Sequence, residues 1–160
     1  MPAEPTTSVH AVDVARHFVE LGAAEDEPEM VSHLRLQKLL YYAQGWSLAL
    51  RDRAMFQDEI EAWADGPVVR TVYRAACTPE LSPVSAAAFP TSVPLSREDA
   101  RFVARVWQSY KPYSAISLRD MTHSEAPWLD ARDGLDSHAR STRSISHSSM
   151  KAYFRALSTR

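Results

Sequence analysis

Disulfide chemistry is missing from this chain, whose 160 residues include a single cysteine, Cys77. No internal bridge can form, which makes a cytoplasmic setting the expectation. Glycine is scarce as well, at four residues. All-β folds consume glycine in turns, so a sheet-rich architecture is disfavoured. No apolar run approaches the roughly 18 residues that span a bilayer, and no membrane role is expected. Met1 to Thr7 lacks both a basic start and an apolar stretch, so no secretory leader is expected either. There is no excess of charge of one sign. Eighteen basic residues stand against twenty acidic ones, for a net charge of −2. That excludes a nucleic-acid-coating protein, and nucleic acid is not an expected partner. The familiar catalytic signatures are absent too: no G-x-S-x-G, H-E-x-x-H, P-loop or G-x-G-x-x-G occurs. The six histidines show no zinc-ligand spacing. No enzyme activity, metal or cofactor is therefore expected.

What is present is helical periodicity. Ala11, Val12, Val14, Ala15, Phe18, Val19 and Leu21 share one side of a helix over Val9 to Leu21, with Ser8 as its cap and Gly22 as its stop. A second helix is predicted from about Ser32 to Leu50. Leu36, Leu39, Leu40, Ala43, Trp46, Ser47 and Leu50 form one stripe and Leu34, Tyr41 and Leu48 another, almost opposite. Two stripes imply packing on both sides, which makes this helix the spine. Asp58 to Trp63 alternates polar and apolar, as a short half-buried strand does. Asp65-Gly66-Pro67 breaks it, and Pro67 suits the first position of a following helix that ends near Cys77. The Pro-rich stretch Thr78 to Leu95 has room for a small strand at Val84 to Phe89.

Ser96 with Asp99 resembles a capping box opening the next helix, whose face is Phe102, Val103, Val106, Trp107 and Tyr110. Short helices follow at Ile116 to Met121 and Ser124 to Arg132. Ile145, Met150, Tyr153, Phe154 and Leu157 form a closing helix. The expected fold class is mainly α. It is one compact helical domain over 1–160 around the 32–50 helix, with a β element near 56–63, a second at 84–89, and a flexible lead over 1–7. The acidic first 31 residues and the basic stretch 132–160 are read as ends that attract each other.

Three local features invite chemistry. Cys77 reads as a small buried hydrophobe rather than a nucleophile. Asp65-Gly66-Pro67-Val68-Val69 reads as a corner, although a helix start there offers free N–H groups to an anion. In Thr122-His123-Ser124-Glu125-Ala126-Pro127-Trp128, Thr122 or Ser124 can cap the next helix, with Glu125 at its positive end. Its alternative is an acid/base pair of His123 and Glu125.

Leu36-Gln37-Lys38-Leu39-Leu40-Tyr41-Tyr42-Ala43-Gln44-Gly45-Trp46 resembles the central signature of the SocA-like Panacea antitoxin domain. Phe56, Asp58 and Ile60-Glu61-Ala62-Trp63, then Gly66-Pro67-Val68-Val69 and Tyr73, resemble its second block. Thr122-His123 with Pro127-Trp128 resembles the third, and Ile145, Met150 and Tyr153-Phe154 the last. These blocks run in order from Val9 to Leu157.

The resemblance implies an antitoxin that neutralises a cognate protein toxin, usually encoded next door and often translation-blocking, by direct binding. It also implies a runner-up, an adaptor that delivers the toxin to a ClpXP-type protease. Under either, the expected partner-binding residues are Trp63, Asp65, Arg70 and Tyr73 at the strand-to-helix corner, with His123 and Glu125 on the same side. Pro79 to Leu95 is the alternative contact segment. Two competing classes are an enzyme using His123, Glu125 or Asp65, and a DNA-binding regulator using a basic strip of Arg132, Arg140, Arg143 and Lys151.

Overall fold

The computed structural model describes residues 7–90 and 94–160. Of the expected flexible lead over 1–7, all but Thr7 lies outside the described residues. In chain order the elements are α1 (Ala11–Ala23), α2 (His33–Arg51), β1 (Glu61–Trp63), β2 (Gly66–Val68), α3 (Arg70–Ala76), a 3-10 turn (Ala86–Ala88), α4 (Arg97–Tyr110), α5 (Ala115–His123), α6 (Ala126–Ala131) and α7 (His147–Ser158). The chain is mainly α, as its periodicity implies.

Helix α2 is the axis. Ser32 Oγ accepts from Arg35 N–H and caps its first turn. Fifteen of its nineteen residues are buried, a fraction only a helix enclosed on several sides reaches. α7 packs along it most extensively, with α5, α1 and α4 around the rest. Gly45 makes the α7 contact possible, since a Cβ there would run into the Phe154 ring. Leu50, placed in a buried stripe by periodicity, is instead exposed at the last turn of α2.

Helix α1 buries one face, as expected, but its ends differ from the sequence reading. The cap is His10, whose N–H donates to the Asp13 carboxylate, rather than Ser8. Asp58, far along the chain, accepts from Ala11 N–H at 2.8 Å. Gly22 does not stop the helix. It lies inside the last turn, where a Cβ would meet the Glu29 carbonyl at 2.7 Å. The expected cap of α4 is found, with Ser96 Oγ accepting from Asp99 N–H at 3.1 Å.

The β elements are smaller than expected. The strand is confined to Glu61–Trp63 and pairs antiparallel with Gly66–Val68, Ala62 opposite Pro67 and Trp63 opposite Gly66. Pro67 is therefore a strand residue, not a helix start, and α3 begins three residues later. Gly66 at φ +112° makes this tight hairpin possible. Ala62 N–H donates to Arg143 O and Ile145 N–H to Ile60 O, so the returning 143–145 segment covers the other edge of β1. The strand expected at 84–89 is a 3-10 turn. Ser85 Oγ accepts from Ala87 N–H, a local bond that competes with a ladder, and Pro83 and Pro90 withhold donors on either side.

Cys77 is exposed, in the left-handed conformation at φ 49° that ends α3, and not a buried hydrophobe. The two chain ends do not attract as expected. Among the described residues Glu25 pairs with Lys111 and Glu29 with Arg35, while Lys151 and Arg155 pair with Asp52.

Candidate functional site

The polar side chains of α2 explain its motif. Gln44 Oε1 accepts from Met55 N–H (2.8 Å) and Phe56 N–H (3.3 Å), and its amide donates to Phe56 O (3.0 Å). Gln37 Oε1 accepts from Val69 N–H at 2.8 Å. Lys38, with no solvent exposure, donates from Nζ to Pro67 O at 2.9 Å. These residues face inward because each satisfies buried main-chain groups of a connection. The motif is thus mostly a fastening for the hairpin corner and the 55–56 turn. Burial lowers the Lys38 pKa to about 7, against the opposing pull of Glu80 and Asp65. Glu80 is raised, by burial first and then by the Asp65 carboxylate beside it.

The fastened corner forms one wall of an open groove of about 600 Å³, lined by Trp63, Asp65, Arg70, Tyr73 and Arg74 with Arg140 and Thr142 opposite. The Trp63 and Tyr73 rings lie 5.0 Å apart at 57°. Glu61 accepts from both Trp63 Nε1 (3.0 Å) and Arg70 (2.7 Å), which orients these two side chains. Trp128 Nε1 donates to Trp63 O at 2.8 Å and anchors the hairpin from behind. Among the described residues Arg74 and Arg140 have no carboxylate partner. The groove therefore combines an aromatic floor with unneutralised guanidinium groups. These are the residue types that dominate protein–protein hot spots.

Four of the expected residues, Trp63, Asp65, Arg70 and Tyr73, come together here. His123 sits behind them, its ring stacked on Trp128 at 4.3 Å, with burial lowering its pKa. Glu125 lies elsewhere. It is 6% exposed and accepts from Tyr42 OH at 3.0 Å, so it is not on the groove side. The expected His123–Glu125 pair is thereby separated, because one side chain turns to Trp128 and the other to the tyrosines of α2. The expected capping of α6 also fails. Glu125 occupies the N-cap position without a side-chain bond, while Thr122 Oγ1 and Ser124 Oγ donate back to the carbonyls of Arg119 and Met121.

Burial pushes the Glu125 carboxyl up to about 7, and the surrounding tyrosine hydroxyls only partly offset this. In the unfolded chain it would ionise near the reference 4.5. Between these values the native state holds the extra proton, so stability falls as pH rises from 4.5 to 7 and is level above that. Glu125→Gln removes this dependence while keeping an acceptor for Tyr42. By urea unfolding, the variant should be more stable than wild type at pH 8 by up to about 3 kcal/mol and match it near pH 4.5. A less stable variant at pH 8 would mean that the surroundings of Glu125 stabilise its carboxylate rather than penalise it.

The basic strip read from the C-terminal third is interrupted, since two of its four residues are taken up inside the fold. Arg132 is buried and donates to the carbonyls of Ala62, Asp136 and Ala139. Arg143 donates to Asp133 O, and Lys151 pairs with Asp52. Arg140 and Arg143 stay exposed without a carboxylate partner among the described residues, and Arg140 lines the groove. Arg74 was missed by sequence reasoning, although it lies one helical turn from Arg70, and Arg140 was read only as part of the basic strip, with nothing to mark it as a groove residue.

Among the described residues no cluster suited to a metal ion occurs, and no helix is long and apolar enough to cross a membrane. A family model described as antitoxin SocA-like, Panacea domain, matches residues 36–129. That span holds most of α2, the hairpin and α3 through most of α6, and leaves out Arg140 and Thr142. A curated protein named Antitoxin SocA, from Caulobacter vibrioides (strain NA1000 / CB15N), is 45% identical over 67 residues. The match covers 42% of this chain and 35% of that protein, so it spans about a third of the relative's length. No solved structure matches significantly.

Proposed function

Since the chain belongs to the SocA-like Panacea antitoxin family, we propose that it neutralises a cognate protein toxin by direct, stoichiometric docking on the Trp63–Tyr73 groove. The observation that supports this is the pairing of two half-open aromatic rings with Arg74 and Arg140, which form no ion pair among the described residues. A side chain with an internal partner loses that partner on binding; these lose nothing. Binding would bury the rings and bring carboxylates of the toxin against the guanidinium groups, a combination of apolar burial and charge-assisted hydrogen bonds. A stable interface needs about 800 Å² from each partner, so the groove would be its centre and the surrounding surface its rim.

The role is binding rather than turnover. The groove's own groups are arginines, an aspartate, two aromatic rings and the side chains of Ser141 and Thr142, with no histidine or cysteine in its lining. His123, the nearest imidazole, is stacked behind the hairpin.

The test is to express the adjacent small gene from an inducible promoter, alone and with this protein, and to measure growth and co-purification. Toxicity that is rescued with a stable complex is the expected result. A rescue without any complex would refute stoichiometric docking. Toxin half-life then separates sequestration, which leaves it unchanged or longer, from delivery to a protease such as ClpXP, which shortens it.

A further inference from the structure

A second surface feature lies at the C-terminal end of α2 and along α4. Arg97, Arg101 and Arg105 follow one another at four-residue intervals on α4, and all three are exposed. At 1.5 Å per residue they are spaced about 6 Å apart, a stripe about 12 Å long on one helix face. Beside the stripe runs an apolar floor. Leu50 is 56% exposed, and Phe102 and Val106 lie beneath it. Two adjoining depressions of about 240 and 600 Å³ share Leu50, Phe102 and Arg105.

The acids that could neutralise this stripe are otherwise engaged. Asp99 accepts from Arg51 at 2.8 Å and Glu98 from Arg53 at 3.0 Å. Among the described residues the three stripe arginines form no ion pair. A chain of net charge −2 thus concentrates three unbalanced positive groups on one side of an aliphatic and aromatic trough.

We infer that this trough is a second docking site, for an acidic amphipathic helix of a partner protein. The occupant's apolar residues, at i, i+3 or i+4 and i+7, would cover Leu50, Phe102 and Val106. Its Asp or Glu residues, repeating every four positions, would face Arg97, Arg101 and Arg105 with the same rise per turn. This is helix-in-groove recognition with charges setting the register. The exposed side chain of the floor is the aliphatic Leu50, while Phe102 is buried with the Arg51 guanidinium 4.4 Å over its ring, which favours a helix over a nucleic acid whose bases would need that face for stacking. The trough shares no residue with the Trp63–Tyr73 groove, and the inference stands whether or not that groove takes a toxin.

The test is a selection of a displayed library of randomised 16-residue helices on the intact protein. The recovered helices are then titrated by fluorescence anisotropy against wild type and against Leu50→Glu with Arg101→Glu. Both positions are exposed, so an unchanged Tm and unchanged far-UV spectrum should confirm the fold. The expected result is enrichment of helices with an apolar stripe flanked by Asp and Glu. Their affinity should fall at least tenfold in the double variant and change little in Arg74→Glu with Arg140→Glu. Failure to enrich, enrichment of neutral or basic helices, or equal binding to the double variant would overturn the inference. So would preferential binding of a 20-nucleotide single-stranded DNA at the same residues, which would reassign the stripe to nucleic acid.

Discussion

Reversing two charges, Arg74→Glu with Arg140→Glu, should abolish toxin rescue while leaving the protein folded. Both side chains are exposed and neither makes an ion pair among the described residues, so the change in stability should stay within about 0.5 kcal/mol. The effect on binding should be far larger. Each reversal removes an attraction and places a like charge against the toxin's carboxylates, and the two together should weaken the complex by a hundredfold or more. Growth on toxin induction and pull-down of the toxin report it directly. Glu125→Gln is the companion control. It alters a buried carboxyl remote from the groove, so rescue should persist, whereas a catalytic role for Glu125 would make that variant inactive. Full rescue by the charge-reversed protein would remove the groove from the interface.

The largest expected loss of stability comes from one methyl group. Gly45→Ala in the middle of a helix ordinarily stabilises by about 0.5–1 kcal/mol, because alanine loses less backbone freedom on folding. Here the added Cβ would be driven into the Phe154 ring, which is wedged between α2 and α7 among Tyr41, Tyr42 and Trp46. A close-packed interior has nowhere to move it, and the sign should invert to a destabilisation of about 3 kcal/mol. Thermal or urea unfolding reads this. Combining Gly45→Ala with Phe154→Leu should cost less than the sum of the two single changes, since the smaller side chain makes room for the methyl. Strict additivity would show that the helices simply separate.

Helices α1, α4 and α7 were legible because each repeats its apolar residues with the helical period against a polar face, and α2 because it does so in two nearly opposite stripes. Their ends were less so. Ser96 caps as read, and Ser32, read only as the start of α2, proves to be its cap, but α1 takes its help from Asp58, a partner that no local pattern marks. The corner was misread at Pro67 for a physical reason. A residue without an N–H suits both a helix start and a short strand, and the positive φ of Gly66 decides between them. Trp63, Asp65, Arg70 and Tyr73 could be grouped in advance because they flank one turn. Arg140 could not, since the segment that carries it is held by main-chain bonds to β1 and by the buried Arg132, neither of which leaves a periodic trace. His123 and Glu125, two residues apart, are parted by the turn between α5 and α6.

The way α2 holds its surroundings has a consequence for how such a molecule can change. Gln37, Lys38 and Gln44 close on peptide groups of Val69, Pro67, Met55 and Phe56, and a peptide group is the same whatever side chain it bears. The grip is therefore blind to the letters written on most of the segments it secures. Groove-facing residues such as Tyr73, Arg74 and Arg140 can be exchanged without loosening that fastening. The fold works like a chuck with an interchangeable bit: recognition is free to drift from one partner to another while the part that holds it stays still.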